Sequence, residues 1–268
     1  MLTLAVDTSA VPLAVALVDD DAVLAEWTEA AQMRHAEALV PAIARLFVEG
    51  GRDQRELGRI VVARGPGSYT GIRLGVTAAK AIAYALRIPL HGISSLAALA
   101  LAVPPGTPGW IVPLVDARRG RAYAAVYRWR GAALETVEAE HVAEIVSLAA
   151  RLAERVEGAD APVFVVGYPA VPEGEALRAA LGSRAVIVPS SFALPRAARL
   201  VWLVDQGFGE AVNAESDDLE ALAAFAPAYL QKSEPERRLE DRVYEPGNDR
   251  ARRAAVRSDA ADGGRRRP

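Results

Sequence analysis

A pattern written twice constrains this chain more than any other feature. Residues 2–7 are an apolar run closing on an acid, Asp7. A second apolar run (13–18), the turn Asp19-Asp20-Asp21 and a third strand (22–28) follow. Residues 111–115 are again apolar and close on Asp116, with strands expected at 121–129 and about 132–137. Asp7 and Asp116 stand 109 residues apart. Strands joined by tight turns form an antiparallel meander. In the first half, a helix with Ala38, Leu39, Ala42, Ile43, Leu46 and Phe47 on one face comes next. A strand at 59–64, a helix from about 70 to 86, a strand at 88–92 and a helix at 94–101 complete that half. The second half continues with a helix at about 142–156, a strand at 162–167, a helix at 173–181, a strand at 185–188 and a helix at 193–206. Two similar α/β halves follow from such a pattern. The run 103–109, rich in Pro and Gly, is the natural joint between them. The expected organisation is an N-terminal lobe at 1–104, a C-terminal lobe at 105–232 and a charged, disordered tail at 233–268.

Composition narrows the function classes. The chain has no cysteine, which excludes a disulfide framework, a thiolate metal site and a cysteine nucleophile. No apolar run is long enough to span a bilayer, and the N-terminus has no basic flank before an apolar stretch, so the expected address is cytoplasmic, with no membrane partner. Lys80 and Lys232 are the two lysines, so arginine supplies nearly all the positive charge. Asn248 to Pro268 carries seven Arg and three Asp, a net of +4; with −3 for the whole chain, −7 remains for residues 1–247. An acidic body argues against stand-alone nucleic-acid binding.

Several constellations bear on chemistry. Asp7, Thr8 and Ser9 lie at a strand tip, where short polar side chains and free N–H groups suit a phosphate or a metal-bound water, or simply build a polar turn. Asp116 and Arg118 occupy the equivalent tip. The loop from Gly65 through Gly67, Ser68 and Thr70 to Gly71 joins a strand to a helix, where an anion would meet a helix N-terminus. Its spacing is neither the dinucleotide fingerprint nor a phosphate-binding loop, and the alternative is a tight turn with close helix–sheet packing. Gly71, Gly75, Ala79 and Ala83 recur every four residues, a nearly bare stripe that suits either the protein's own sheet or a partner helix. His35, His91 and His141 form no metal pair; the position four after His35 is Leu39. Asp19-Asp20-Asp21 and Asp217-Asp218 read as solvated turns.

These residues resemble the bacterial TsaB (YeaZ) family. The likeness rests on the opening Leu4-Ala5-Val6-Asp7-Thr8-Ser9, on His35-Ala36-Glu37 followed by Pro41, and on the loop from Gly65 to Gly75. Asp116-Ala117-Arg118-Arg119 and the closing Pro227-Ala228-Tyr229-Leu230 extend it to about residues 1–235. The resemblance implies a two-lobed actin-like ATPase fold (the ASKHA class of Hsp70 and sugar kinases). Each lobe would be a mixed sheet with an antiparallel three-strand meander plus helices. It implies a non-catalytic, activating subunit in making threonylcarbamoyladenosine beside the anticodon of tRNAs that read A-starting codons. Its partners would be a TsaD-like catalytic subunit and a TsaE-like ATPase, with a homodimer when alone and tRNA met only through the complex. Catalytic relatives carry a metal-binding histidine pair, of which only His35 stands here.

On that basis no residue is expected to be catalytic or to bind metal. Asp7, Thr8, Ser9, Asp116 and Arg118 would be a vestigial nucleotide cleft with no tightly bound cofactor, which leaves weak ATP or ADP binding open. The expected subunit interface comprises His35, Glu37, Leu39, Ala42, Ile43, Leu46, Gly71, Arg73, Gly75, Ala79 and Ala83. The competing functions are a stand-alone small-molecule kinase of the same fold, a metalloprotease and a lone tRNA binder.

Overall fold

The computed structural model describes residues 1–29, 35–155, 161–167, 173–213 and 219–231. Asp217-Asp218 and the tail at 233–268 lie outside the described residues. Met1–Leu230 form one compact unit.

The first half runs β1 (Leu2–Asp7), β2 (Leu13–Asp19), β3 (Ala22–Glu29), α1 (His35–Gly50), β4 (Leu57–Gly65), α2 (Tyr69–Leu86), β5 (Leu90–Ser94) and α3 (Ser95–Ala100). The second half repeats that order: β6 (Trp110–Asp116), β7 (Arg121–Arg130), β8 (Ala133–Glu144), α4 (Ile145–Arg155), β9 (Val163–Gly167), α5 (Glu173–Leu181), β10 (Ala185–Ile187) and α6 (Ala198–Asp205). A further strand, β11 (Glu210–Val212), and α7 (Leu219–Ala224) follow. The sheets read β11-β5-β4-β1-β2-β3 and β10-β9-β6-β7-β8. Without β11 the two orders are the same: an antiparallel meander beside two parallel strands, with β1 and β6 in equivalent places. This is the two-lobed, actin-like α/β arrangement.

Each sheet is covered on both faces, which is why its central strands are apolar runs rather than alternating ones. Along β1, Leu2, Leu4 and Val6 join the core that α1 and α2 cover, whereas Ala5 belongs to the core containing α3 and α6. On that inner face Ala14, Ala16 and Ala63 also keep the side chains small. α6 packs across β1, β2, β4 and β5, although it belongs to the second half of the chain. α3, from the first half, packs on β6, β7 and β9 as well as on β4 and β5. The Pro-rich segment is fixed too, for Trp129 Nε1 donates to the Val103 carbonyl at 3.0 Å.

Two elements depart most from the sequence expectation. β8 continues to Glu144, so residues 142–144 are strand and not helix, because Val142 pairs with Tyr123 and Ala143 with Ala122. α6 starts at Ala198 rather than 193, because the segment before it is tied to β3: Thr28 Oγ1 donates to the Pro195 carbonyl at 3.3 Å and Ala198 N to Glu26 Oε1 at 3.1 Å. Pro41 lies inside α1, beyond its first turn. Among the described residues, no helix is long and apolar enough to cross a membrane.

Candidate functional site

The turn after β1 and the loop before α2 are built against each other. Asp7 is buried, and its Oδ1 accepts from Ser9 N at 2.9 Å and from Ser9 Oγ at 2.6 Å. Burial pushes the Asp7 carboxyl above its ordinary range, against the opposing pull of the Ser9 hydrogen bonds and the His35 imidazole. Thr8 points the other way, its Oγ1 donating to the Gly71 carbonyl at 2.7 Å inside the protein. Ser68 N donates to the Ser9 carbonyl at 2.7 Å, and Ser68 Oγ caps α2 by accepting from Gly71 N at 3.2 Å. A Cβ on Gly67 would meet the Ser9 carbonyl oxygen inside 3.0 Å, and one on Gly71 would meet that of Thr8. These glycines let one backbone touch another. Of the two readings of the loop, close packing is the one observed: Ser68 N is engaged by Ser9 and Gly71 N by Ser68 Oγ, and Thr70 faces solvent.

Asp7 and Ser9 line a cavity of about 30 Å³ together with Ala10, Ser95, Ala98, Leu99, Val115, Pro195, Arg196 and Arg199. That is room for about two water molecules. Ser95 Oγ is buried there without a protein hydrogen-bond partner. Burial lowers the pKa of Arg199, and its guanidinium is held by the Leu194 and Phe192 carbonyls at 3.5 and 3.3 Å. Arg196 is pinned outside by Glu26, its Nε donating to Oε2 at 2.9 Å. As folded, these residues do not fit a nucleoside phosphate. Asp116 and Arg118 are not in the lining. Both face solvent, and Arg118 N donates to Asp116 Oδ1 at 2.6 Å in a left-handed turn through Arg118 and Arg119. The two tips lie on equivalent strands, but only the first contributes polar groups to the cavity.

His35 sets α1 against the same turn, its Nε2 lying 2.8 Å from the Val11 carbonyl oxygen. Leu39, one helical turn on, is buried. One imidazole engaged by a carbonyl, with leucine at the next turn, does not fit a metal. Among the described residues, no three His, Asp or Glu side chains are grouped to hold one.

The described features match known proteins. The family described as "TsaD: tRNA N6-adenosine threonylcarbamoyltransferase" matches residues 28–238. The Bacillus subtilis (strain 168) protein named tRNA threonylcarbamoyladenosine biosynthesis protein TsaB is 34% identical over 236 residues, covering 88% of this chain and 96% of that relative. The Escherichia coli (strain K12) protein of the same name is 30% identical over 150 residues, 51% of this chain and 62% of its own. The solved structure of YeaZ from Pseudomonas aeruginosa superposes with a TM-score of 0.66 at 27% identity, covering 85% of this chain and 99% of that one.

The chain belongs to the TsaB (YeaZ) family.

For a TsaB-family chain, the place of the expected interface residues matters most, and here the structure corrects the sequence reading. Ala79 and Ala83 are 0% exposed and pack with Gly71 and Gly75 toward the protein's own first sheet. A Cβ on Gly75 would meet Thr8 Oγ1 inside 3.0 Å. The bare stripe is a core feature, and no partner helix can reach it. Leu39, Ala42, Ile43 and Leu46 are buried in the same core, beneath α1. His35 is half-buried, and only Glu37 and Arg73 of that set are on the surface.

The outward faces of the same two helices carry the exposed apolar groups instead. Val40 is 69% and Val48 82% exposed on α1, with exposed Ala44 between them. Tyr84 is 58% exposed on α2, near the exposed Thr77 and Ala81. The sequence reading also missed Glu26, Arg196 and Arg199, which meet across more than 160 residues and leave no local signal. Lys80 had one: a rare lysine in an arginine-rich chain. Its Nζ donates to the Ala223 and Phe225 carbonyls at 2.7 and 3.0 Å, capping the last turn of α7.

Proposed function

We propose that this chain serves tRNA threonylcarbamoyladenosine biosynthesis as a non-catalytic, activating subunit. It pairs through the outward faces of α1 and α2 with a TsaD-like catalytic subunit, joins a TsaE-like ATPase, and self-pairs through the same faces when alone. The observation that carries the reading is the state of α1: the single imidazole is bound to Val11, a buried leucine stands one turn on, and the solvent side is apolar. A helix so built supplies contact area and no chemistry. Exposed apolar surface rimmed by charge is characteristic of docking faces, and Glu37, Arg45 and Arg73 provide the rim. Burial of Asp7 and the two-water cavity support the absence of a tightly held nucleotide. No observation favours the kinase reading, which needs acids presented to a bound phosphate.

The test is reconstitution of threonylcarbamoyl transfer to tRNA with the cognate catalytic subunit and ATPase, with and without this chain. Transfer that requires the chain, and that is lost with Val48→Glu, supports the reading. Full transfer without the chain overturns it.

A further inference from the structure

The cavity beside Asp7 draws its polar walls from both halves of the chain. Ser9 comes from the turn after β1, Ser95 from α3 and Arg199 from α6. Its hydrogen bonding is not balanced. Ser95 is 6% exposed, and among the described residues nothing pairs with its hydroxyl. A hydroxyl buried in that way is costly until a ligand meets it. The end of α3 is not the attraction, because its Ala97 N–H is already capped by Ser94 Oγ at 3.0 Å. What faces the cavity is the Ser95 side chain.

The charge is not balanced either. Arg196 and Arg199 both line the cavity. Glu26, the acid beside them, has both oxygens engaged: Oε2 accepts from Arg196 Nε at 2.9 Å and Oε1 from Ala198 N at 3.1 Å. Arg199 is left to two carbonyl oxygens at 3.5 and 3.3 Å, which use two of its five N–H donors and bring no counter-charge. Asp7 is the acid of the lining, but its Oδ1 is turned to Ser9, and burial holds the carboxyl toward its neutral form. A guanidinium drawn out of water without a counter-ion is unfavourable, and an anion that enters removes that cost. Two guanidiniums repel a metal cation, and an apolar molecule would leave the Ser95 hydroxyl unpaired. Room for about two waters admits an ion of chloride size beside one water and shuts out a nucleotide.

We propose that this cavity binds a small monovalent anion of chloride size, held between the Ser95 hydroxyl and the Arg199 guanidinium. The ion would pin α3, from the first half of the chain, to α6, from the second, where the two helices pack together. The inference does not depend on the tRNA reading above.

The test uses the full chain and bromide as a heavy stand-in for chloride. Crystals are soaked in bromide, and anomalous scattering is recorded at its absorption edge. An ordered bromide within contact distance of Ser95 Oγ and the Arg199 guanidinium is expected; water there, with no anomalous signal, overturns the proposal. In solution, thermal midpoints are followed while sodium chloride replaces sodium gluconate at constant ionic strength. The midpoint of the unaltered chain should rise and saturate. Ser95→Ala should weaken the apparent chloride affinity at least tenfold, the loss of one hydrogen bond to a charged group. Arg199→Gln should abolish the response. If Arg199→Gln does not fold, the bromide position and the Ser95→Ala titration decide between them. A rise that never saturates, or that Ser95→Ala leaves unchanged, is a general salt effect and overturns the proposal. So does bromide seen in the crystal with no chloride response in solution, which is binding at crystal concentration only.

Discussion

Gly75 on α2 and Thr8 in the turn after β1 stand so close that a single added carbon on the glycine would overlap the threonine hydroxyl. That hydroxyl is also the donor that holds α2 through the Gly71 carbonyl. Gly75→Ala should therefore destabilise the protein by about 1–3 kcal/mol, as overpacking does. Thr8→Ala should be destabilising on its own, by about 1 kcal/mol, through the lost hydrogen bond. The double variant should cost less than the sum, because removing the hydroxyl makes room for the added methyl. Urea unfolding of the four proteins measures the coupling; strict additivity would mean that the contact is not felt.

The outer faces of α1 and α2 call for the opposite behaviour. Val48→Glu and Tyr84→Glu change exposed positions, so the monomer's stability should move by no more than about 0.5 kcal/mol. Association with the catalytic subunit, or with a second copy, should weaken at least tenfold. Light scattering and titration calorimetry on the same preparations read both properties.

Asp7 should leave a signature in the pH dependence of stability. Its folded pKa is raised above the ordinary 3.8 because the carboxyl is buried. The unfolded chain then releases that proton first as pH rises, so stability is full below about pH 3.8 and declines through the folded pKa. Asp7→Asn keeps an oxygen for Ser9 and removes the charge. The difference between unaltered protein and variant should thus grow in the variant's favour from pH 4 toward neutrality. Thermal midpoints across that range check the sign, and a variant that loses ground as pH rises would contradict it.

Lys80 fastens the chain end to α2. Lys80→Met should cost about 1–2 kcal/mol, since a charged donor serves two carbonyls. Faster hydrogen exchange should be confined largely to residues 223–230. Protection there equal to that of the unaltered protein would mean that the Tyr69–Tyr229 stack and the Arg64–Ala228 bond suffice.

Much of the architecture was legible in the sequence because its signals are local and repeated. Two acid-ended apolar runs, each followed by tight turns, indicate two equivalent meanders, and both sheets have that order. What escaped depends on contacts distant in sequence. β11 is three residues long and exists because it pairs with β5; nothing in Glu210-Ala211-Val212 announces a strand. The start of α6 is set by Glu26, far away on β3. The stripe of small residues on α2 was seen, but periodicity shows only that a face is bare and not what covers it. At Thr8 the answer lay in a turn more than sixty residues earlier. The histidine without a partner at the next helical turn was readable directly, since i and i+4 positions share a face.

The crossing of α3 and α6 makes the two halves hostages to each other. The proline-rich joint after α3 looks like a place to divide the chain, yet a fragment ending there would lack the helix that roofs the inner face of its own sheet, and the other fragment would present that helix with nothing beneath it. A protease nick in the joint should leave two pieces that stay together and melt in one step. Two halves of like order thus form a single cooperative object, and neither half can be lost, replaced or borrowed alone.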